Sequence, residues 1–326
     1  MKKLIFSVAL LSAALSASAE EHPLWMRYPA ISPDGTTIAF AYKGDLYSVS
    51  VNGGEARQLT THAAFDSHPV WSPDSKKIAF QSNREGSLDI FVIDAKGGAP
   101  PRLTTNSGSE TPIAFADNDH VLYSASLQPT AQSIIFGDNT FPQVYKVSTK
   151  GGRPELFSTL TMENISIAKN GDILYHDKKG YEDPWRKHQK SPIARDIWLK
   201  SNGKFTKQTT FAGEDRSPVW TSDEKSFFYL SEQDGTFNIY RRSLNSSSDK
   251  QITHHKGNPV RFLTASSADL LCYGYDGEIY TVKEGGEPQK VNISITTDND
   301  APSLVRQIKS WGATEISVSP DAKEVA

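Results

Sequence analysis

Serine, histidine and acidic residues are the side chains of this sequence that could carry out catalysis. No serine stands in a Gly-x-Ser-x-Gly sequence, so the nucleophile turn of that class of hydrolases is absent. His254 and His255 are adjacent, whereas two histidines that bind one metal from a helix need i, i+4 spacing. We interpret the pair as part of a surface loop, with a metal or acid–base role as the open alternative. The sequence therefore predicts no catalytic residue, no cofactor and no metal ligand within this chain.

The conspicuous aspartates recur at fixed places in a repeated pattern. They lie either in turns or directly before apolar runs: Asp34, Asp74, Asp223, Asp321, Asp45, Asp89 and Asp196. Because the residue returns with each copy of the pattern, hydrogen bonding in a turn explains it better than catalysis does. A glycosidase would need one special carboxylate pair about 5 to 10 Å apart, which the sequence does not identify.

Two stretches interrupt the pattern with extra residues. The first runs from Ala125 to Pro142, and the second runs from Lys178 to Asp196. The second is aromatic and basic, so it suits a peptide carboxylate or an acidic partner surface through charge-assisted hydrogen bonds. The alternative is that its aromatic rings cover an apolar edge of the fold while its cationic groups stay hydrated. The candidate peptide- or partner-binding residues are Trp185, Arg186 and His188.

The repeated pattern is clearest when residues 28–60 are compared with residues 68–104. Each copy contains Pro, Ser-Pro-Asp, Ile-Ala-Phe, Asp-apolar-aromatic, Gly-Gly and Leu-Thr, in this order. Weaker copies follow along the chain, marked by Gly151-Gly152, Asp196-Ile197-Trp198, Ser217-Pro218-Val219-Trp220 and Gly285-Gly286. A unit of about 40 to 45 residues has the size of a propeller blade. Six such units fit between residues 27 and 291.

Each unit contains four short apolar runs separated by turn residues rather than by helical spacing. Ser-Pro-Asp-Gly suits a type I turn, and Gly-Gly suits a reversal that needs positive φ. The sequence therefore predicts an all-β fold, a six-bladed β-propeller of four-stranded antiparallel blades. We expect Val70, Ile78, Phe80, Ile90 and Val92 to pack against neighbouring blades. An open β-sandwich is the alternative, although sandwiches need no fixed repeat of this length.

The end of the chain repeats its beginning. Residues 318–326 match residues 31–39, including a further Ser-Pro-Asp at Ser319. We therefore predict a propeller over residues 20–291, followed over residues 292–326 by a crossover and the first strands of a truncated second propeller. On this interpretation the chain is a fragment of a longer protein.

The N-terminus predicts export. Lys2 and Lys3 precede an apolar run, and a stretch of small residues ends at Ala19, as in a secretory signal peptide of residues 1–19. We expect a periplasmic protein without a membrane span after cleavage, because the run is too short to act as an anchor. Removal of the two lysines changes the formal charge from -3 to -5, which argues against nucleic acid as a partner. Cys272 is the only cysteine, so no intramolecular disulfide can form, and we expect a buried structural thiol.

The repeats resemble the TolB-like propeller repeat, a WD40-like pattern that several families share. A more specific resemblance, to the N-terminal propeller of tricorn-type proteases, rests on four segments: residues 183–188, 195–198, 213–220 and 231–240. In that family a second propeller, a PDZ domain and a serine-protease core follow the six-bladed propeller. The resemblance implies that the catalytic residues lie outside this chain, so the chain alone is not expected to be an enzyme.

By this resemblance the chain is the substrate-gating or recognition propeller of an exported tricorn-like serine peptidase. Its expected partners are peptides or unfolded protein segments, and the downstream propeller, PDZ and protease domains of the same polypeptide. The alternative is a free-standing TolB-like periplasmic scaffold that binds proteins without any peptidase. A third hypothesis, the propeller of a prolyl-oligopeptidase-type enzyme, predicts an α/β-hydrolase domain with Gly-x-Ser-x-Gly downstream.

Overall fold

The computed structural model describes residues 19–20, 23–126, 141–180, 190–244, 246–296 and 317–321. Within these residues every regular element is a β-strand. No helix in the described part of the chain is long and apolar enough to cross a bilayer. Residues 19–296 form one compact unit, which contains all of the blades described below.

Six antiparallel sheets follow one another along the chain, and each is built from consecutive strands. We number these blades 1 to 6 and count the strands of each blade from the inner to the outer one. Blade 1 consists of Arg27–Ile31, Thr37–Tyr42, Asp45–Ser50 and Arg57–Gln58. Blade 2 consists of Asp66–Trp71, Lys77–Ser82 and Asp89–Asp94. Blade 3 consists of Glu110–Asp117, His120–Ala125, Gln143–Ser148 and Glu155–Ser158.

The other three blades have the same order of strands. Blade 4 consists of Met162–Ile167, Ile173–Asp177, Ile197–Ser201 and Lys204–Lys207. Blade 5 consists of Asp215–Trp220, Ser226–Ser231, Asn238–Ser243 and Asp249–Gln251. Blade 6 consists of Arg261–Ala265, Leu271–Tyr275, Glu278–Val282 and Gln289–Lys290. The predicted six-bladed propeller is confirmed.

The outer strand of blade 2 is reduced to a single bridge between Phe91 and Arg102. Its sequence supplies the reason, because Pro100 and Pro101 have no N–H groups to donate to a neighbouring strand. The segment stays attached through two backbone bonds on either side of this bridge, from Leu103 N–H to Ile90 O at 2.8 Å and from Val92 N–H to Pro101 O at 3.2 Å.

The inner strands contact one another in sequence around a ring, and that of blade 6 contacts that of blade 1. Each pair of neighbouring blades encloses its own cluster of buried apolar side chains. In blade 2, Ile78 and Phe80 pack toward blade 1, whereas Val70, Ile90 and Val92 pack toward blade 3. The period-2 alternation of a strand places these side chains on opposite faces of the blade, as the sequence predicted.

The Ser-Pro-Asp turns join the first and second strands of several blades. In blade 2 the Ser72 hydroxyl donates to Asp74 Oδ1 at 2.7 Å and accepts from the Lys77 N–H at 2.9 Å. The Ser72 hydroxyl lowers the pKa of Asp74, because its hydrogen bond stabilises the carboxylate. Ser32 and Asp34 form the same bond in blade 1 at 2.5 Å. The interpretation of these aspartates as turn residues is thus confirmed.

A short segment after blade 6 returns to blade 1. Ile293–Thr296 pairs antiparallel with Ala19–Glu20 and in parallel with Gly54–Glu55, which lies between the third and fourth strands of blade 1. Ile293 and Ile295 are buried in the apolar cluster that blades 6 and 1 share. We call residues 292–296 the closure segment. It begins directly after residue 291, where the sequence placed the end of the propeller.

The closure segment approaches blade 1 very closely at Gly53. A Cβ atom at Gly53 would lie 2.4 Å from the carbonyl oxygen of Asn292, and the residue has a φ of 84°. The neighbouring Gly54 donates its N–H to the same oxygen at 2.9 Å. Only glycine fits this position, because both the close approach and the left-handed backbone exclude a side chain.

Residues 317–321 belong to a separate unit from the propeller. The Ser319 hydroxyl donates to Asp321 Oδ1 at 2.7 Å. This is the hydrogen bond that closes the Ser-Pro-Asp turns of the blades. The start of a second propeller at this position remains a prediction, since the residues that would form its next strand lie outside the described part of the chain.

Candidate functional site

The inner strands share a β-bulge at which their side chains come together. In blade 1, Arg27 lies opposite Ala41 and Ala30 lies opposite Ala39, so that Tyr28 and Pro29 both face the single residue between. Blades 2, 4, 5 and 6 have the same register shift. The residue opposite the bulge is a buried aromatic in each case: Phe40, Phe80, Tyr175, Tyr229 and Tyr273. The last residue of the repeated Ile-Ala-Phe motif is therefore the support of a bulge.

The first residue of each of these bulges has a left-handed backbone although none is glycine. The φ values are 53° at Tyr28, 56° at His68, 48° at Asn164, 52° at Ser217 and 59° at Phe262. In blade 3 the equivalent residue is Pro112, whose ring excludes positive φ. We call these six residues the axial ring. A left-handed non-glycine residue costs about 1–2 kcal/mol, so the surrounding strands must hold this conformation.

Members of the axial ring touch across the boundaries between blades. The Tyr28 ring lies 3.7 Å from the His68 ring and 4.7 Å from the Phe262 ring, measured between centroids. On the other side of the ring, Asn164 Nδ2 donates to the Ser217 hydroxyl at 3.2 Å. Because these contacts join equivalent residues of neighbouring inner strands, the axial ring lines the propeller axis. It is aromatic over blades 6, 1 and 2 and polar over blades 4 and 5.

The aromatic part of the axial ring, Phe262, Tyr28 and His68, is half-buried, and we call it the aromatic arc. Burial lowers the pKa of His68 to about 4, so the imidazole is neutral at pH 7. Burial likewise raises the pKa of Tyr28. Arg27 and Arg261 directly precede two members of the arc, and Arg27 is exposed. Arg27 lies close enough to Tyr28 to offset part of the rise in its pKa, so a guanidinium group accompanies the neutral rings at blade 1.

A buried ionic network lies behind the polar part of the ring. Glu163 accepts from Arg195 Nε at 2.9 Å and from His176 Nε2 at 3.0 Å. Glu214 accepts from Arg216 Nε at 2.7 Å. Burial alone raises the pKa of Glu163, but the hydrogen bond from His176 and the Arg195 guanidinium lower it well below its usual range. The network therefore holds its charges in mutual pairs.

Ser217, His176 and Glu163 include the residue types of a Ser-His-acid triad, but their geometry excludes that chemistry. His176 Nδ1 accepts the backbone N–H of Ser217 at 3.1 Å, so the Nε2 atom carries the proton and faces Glu163. The Ser217 hydroxyl is bonded to Asn164 instead. A general base must reach the proton of its nucleophile, and here the imidazole reaches only a backbone amide. The arrangement positions the bulge and activates no serine.

Both insertions are connections between the second and third strands of a blade. The first joins two strands of blade 3, and the second joins two strands of blade 4. Since alternate connections of an up-and-down blade lie at opposite ends, both leave the face at which the inner strands begin. The second has a firmly bonded stem, in which Asp177 accepts the Asp196 N–H at 2.8 Å and Lys179 forms an ion pair with Asp196.

A family model for the tricorn protease N-terminal β-propeller domain matches residues 23–288. This chain belongs to that family. Tricorn protease homolog 1 of Streptomyces coelicolor is 25% identical over 280 residues, which are 84% of this chain and 25% of that protein. The chain therefore spans about a quarter of the length of the curated relatives that it matches.

Solved structures show the same fold as this tricorn-type propeller. A crystal structure of the tricorn protease has a TM-score of 0.70 and 20% identity, over 91% of this chain and 28% of that chain. TolB from Acinetobacter baumannii has a TM-score of 0.58 and 14% identity, over 83% of this chain and 65% of that chain. These identities support the fold alone.

The binding residues predicted from the sequence of this tricorn-type propeller, Trp185, Arg186 and His188, lie outside the described residues. Their binding role stays a prediction. Cys272 is fully buried, as expected, and burial raises its pKa. His255 donates to or accepts from the Tyr273 hydroxyl at 2.9 Å and stacks on Tyr275 with 3.9 Å between centroids. Across the described ranges, no group of three or more His, Cys, Asp and Glu is placed to hold a metal ion.

Sequence reasoning missed the axial ring. Its members differ in type from blade to blade, so no residue pattern repeats at this place. One signal was present, because Tyr28, His68 and Ser217 each directly precede the proline of their unit. That proline is the second residue of the bulge, where an N–H is not needed for pairing.

Proposed function

We propose that this propeller recognises and gates peptide substrates or products for an exported tricorn-like serine peptidase. The observation that carries the proposal is the axial ring, whose side chains touch across the boundaries between blades 6, 1 and 2 and between blades 4 and 5. Family membership supports the link to a protease, and the chain spans only about a quarter of its curated relatives. We place the PDZ and serine-protease domains in the remainder of the parent polypeptide.

The chemistry of the axial ring suits extended chains. An unfolded peptide can present single side chains and backbone groups to the rings and polar groups of this lining. The described stems of the two insertions leave the face at which the inner strands begin, and we propose that the insertions contact a peptide before it reaches the ring. Export rests on the signal-like residues 1–19, and the proposed compartment is the periplasm.

Chemical obstruction of the axis tests gating. Asn164 is an exposed member of the axial ring, and the native Cys272 is fully buried, so Asn164→Cys introduces an accessible thiol at the axis. The full reading frame, purified from the periplasm and verified to begin at Glu20, would be labelled with a bulky polyethylene glycol maleimide. We expect several-fold slower hydrolysis of long unfolded peptides, with activity that a serine-directed covalent inhibitor abolishes.

Lys204→Cys with the same label is the matched control, because Lys204 lies exposed on the outer strand of blade 4. Its label should leave hydrolysis unchanged. Equal rates for the two labelled proteins would overturn gating by the axis. Absence of inhibitor-sensitive hydrolysis in every sample would instead favour the TolB-like scaffold.

A further inference from the structure

We infer that the aromatic arc, together with Arg27 and Arg261, is a binding site for an extended peptide that carries an aromatic or large apolar side chain beside a carboxylate. This inference rests on the proposed function, since it names the class of peptide that the axis recognises. It concerns residues that the predicted site at Trp185, Arg186 and His188 does not include.

The arc provides a preformed surface for a flat ring. Tyr28 is in contact with both of its neighbours, and the planes of Tyr28 and His68 are inclined by only 31°. All three residues are half-buried, so the cluster keeps part of its surface accessible. Aromatic rings prefer offset-stacked or edge-to-face neighbours with centroids about 4.5–7 Å apart. A peptide side chain can therefore extend the cluster without first ordering it.

The left-handed backbone fixes where these rings point. Tyr28, His68 and Phe262 all occupy the first position of a bulge, and their φ values lie between 53° and 59°. The second strand supports each bulge with a fully buried aromatic: Phe40, Phe80 and Tyr273. Non-glycine residues adopt this conformation only when the structure around them imposes it, and such strain is concentrated at binding sites. The strands of the propeller thus hold the arc in place before a ligand arrives.

The charges around the axis favour an anionic ligand on this side. The residues that directly precede the axial ring are Arg27, Ser67, Thr111, Glu163, Arg216 and Arg261. Two of these six residues are arginines next to arc residues in the chain, Arg27 in blade 1 and Arg261 in blade 6, whereas the single carboxylate of the six lies in blade 4. Glu163 is already bonded to Arg195 and His176. A cationic ligand would therefore meet arginines beside the arc and a neutralised carboxylate across from it.

Arginine is suited to this role even where it also has a partner in the protein. A guanidinium has five N–H donors in a planar fork, so one edge can bind a ligand carboxylate while another edge keeps an internal bond. Arg27 is exposed and Arg261 is half-buried. The carboxylate can come from the peptide C-terminus or from an aspartate or glutamate beside the apolar residue.

Fluorescence anisotropy of labelled peptides with the purified chain tests the site. The probes are Gly-Ala-Ala-Phe as the free acid, the same peptide as the C-terminal amide, Gly-Ala-Glu-Phe amide and Gly-Ala-Ala-Lys amide. We expect the free acid and the Glu-Phe amide to bind more tightly than the other two. If only the free acid binds tightly, the site recognises the C-terminal carboxylate of the peptide. If the free acid and the Glu-Phe amide bind with similar affinity, the site accepts any carboxylate next to the aromatic residue.

Variants separate the ring contact from the charge contact. Tyr28→Asn removes the central ring while asparagine still adopts the left-handed backbone, so Phe-containing peptides should bind about two- to tenfold more weakly. Arg27→Gln should weaken only the carboxylate-bearing peptides. Asn202→Ser is the control at another left-handed position, in the exposed turn between the third and fourth strands of blade 4, and it should leave every affinity unchanged. Tyr28→Phe should restore binding of the aromatic peptides.

Thermal denaturation shows which variants fold, and His68→Asn replaces Tyr28→Asn if the latter does not. Unchanged affinity of the Phe peptides for these variants, or equal affinity of all four probes for the native chain, would overturn the inference. The labelled Asn164→Cys protein tests gating independently. If the four probes bind equally but the label at residue 164 slows hydrolysis, this binding site alone is refuted. If the probes are discriminated but the label has no effect on hydrolysis, only the proposed gating function is refuted.

Discussion

Three carboxylates occupy equivalent positions at the start of inner strands and differ in their partners. Asp66 accepts two hydrogen bonds from Arg84, at 2.8 and 3.0 Å. Within the described residues, neither oxygen of Glu110 or of Asp215 has a hydrogen-bond partner. Burial raises the pKa of each of these two to about 7. The Ser231 and Thr209 hydroxyls near Asp215, and the Thr104 hydroxyl near Glu110, offset part of this rise in pKa.

Relative to the native protein, the Asp215→Asn variant is expected to be more stable at pH 8, and this gain should be larger at pH 8 than at pH 4. Below pH 4 the carboxyl is protonated in both the folded and the unfolded chain, so folding buries no charge at this residue. As the pH rises toward 7, the unfolded chain releases this proton first, so the native protein loses stability that asparagine does not lose. One pKa unit corresponds to about 1.4 kcal/mol, so the gain is on the order of a few kcal/mol. Urea denaturation at both pH values measures it.

Asp66→Asn is the matched control for this prediction. It replaces the equivalent residue of blade 2 and breaks the ion pair with Arg84, whose side chain is 11% exposed. Removal of one partner of a buried pair leaves an uncompensated charge, so we expect destabilisation at pH 8. If Asp215→Asn also destabilises at pH 8 as strongly as at pH 4, its carboxylate is not buried as a costly charge.

At the scale of the element, one threonine ties the third and fourth strands of a blade together. The N–H of Ile90 donates to the Thr104 hydroxyl at 2.9 Å in blade 2. Leu46 and Thr60 form the same bond at 2.9 Å in blade 1, and Ile239 and Thr253 form it at 2.9 Å in blade 5. The Leu-Thr end of the repeated unit is thus explained by a buried backbone donor that no strand partner satisfies.

Thr104→Val should therefore destabilise the propeller by about 1–3 kcal/mol, because it leaves the Ile90 N–H buried without an acceptor. Valine keeps nearly the same shape, so the loss reports the hydrogen bond rather than a cavity. Thr104→Ser keeps the hydroxyl and should retain most of the stability. Guanidinium denaturation of the three proteins measures the differences, and equal losses for Val and Ser would point to packing instead.

The strands could be predicted from the sequence where recognisable turn motifs separate them. Ser72 and Asp74 recur as a motif because their hydrogen bonds close a turn locally, and local chemistry leaves a local pattern. The axial ring left almost no pattern, because Tyr28 and Asn164 share a backbone position rather than a side-chain type. The side chains of the axial ring make their contacts with neighbouring blades. A comparison of one repeat with another does not contain information about such contacts.

At the scale of the whole molecule, the circle of six blades is closed by the closure segment, which lacks the repeated blade motif. Ile293 and Ile295 fill the cluster between blades 6 and 1, and Ala56 donates its N–H to Ser294 O at 2.8 Å. No motif in the sequence marks this role, because the closure segment is not a repeat and its partners lie at the other end of the chain. The blade pattern therefore predicts a boundary near Val291, whereas the compact unit runs to Thr296.

The difference between these two boundaries can be measured by truncation. A chain that ends at Thr296 should retain the stability of the 326-residue chain. A chain that ends at Val291 loses two buried isoleucines, each worth about 1.5–3 kcal/mol, together with the backbone bonds to blade 1. We expect its midpoint of guanidinium denaturation to fall clearly below that of the longer chain. Equal midpoints would mean that contacts between the inner strands of blades 6 and 1 suffice to close the ring.

A point substitution separates closure from the general effect of a shorter chain. Gly53→Ala would place a Cβ atom 2.4 Å from the Asn292 oxygen, so it should displace the closure segment in the full chain. Gly151→Ala is the control, since Gly151 has a φ of 77° but a Cβ atom there would have no neighbour within 4 Å. Both substitutions carry the left-handed backbone cost of about 1–2 kcal/mol. Only Gly53→Ala should lose more than this, because only there does the extra methyl group separate the last segment of the propeller from the first blade.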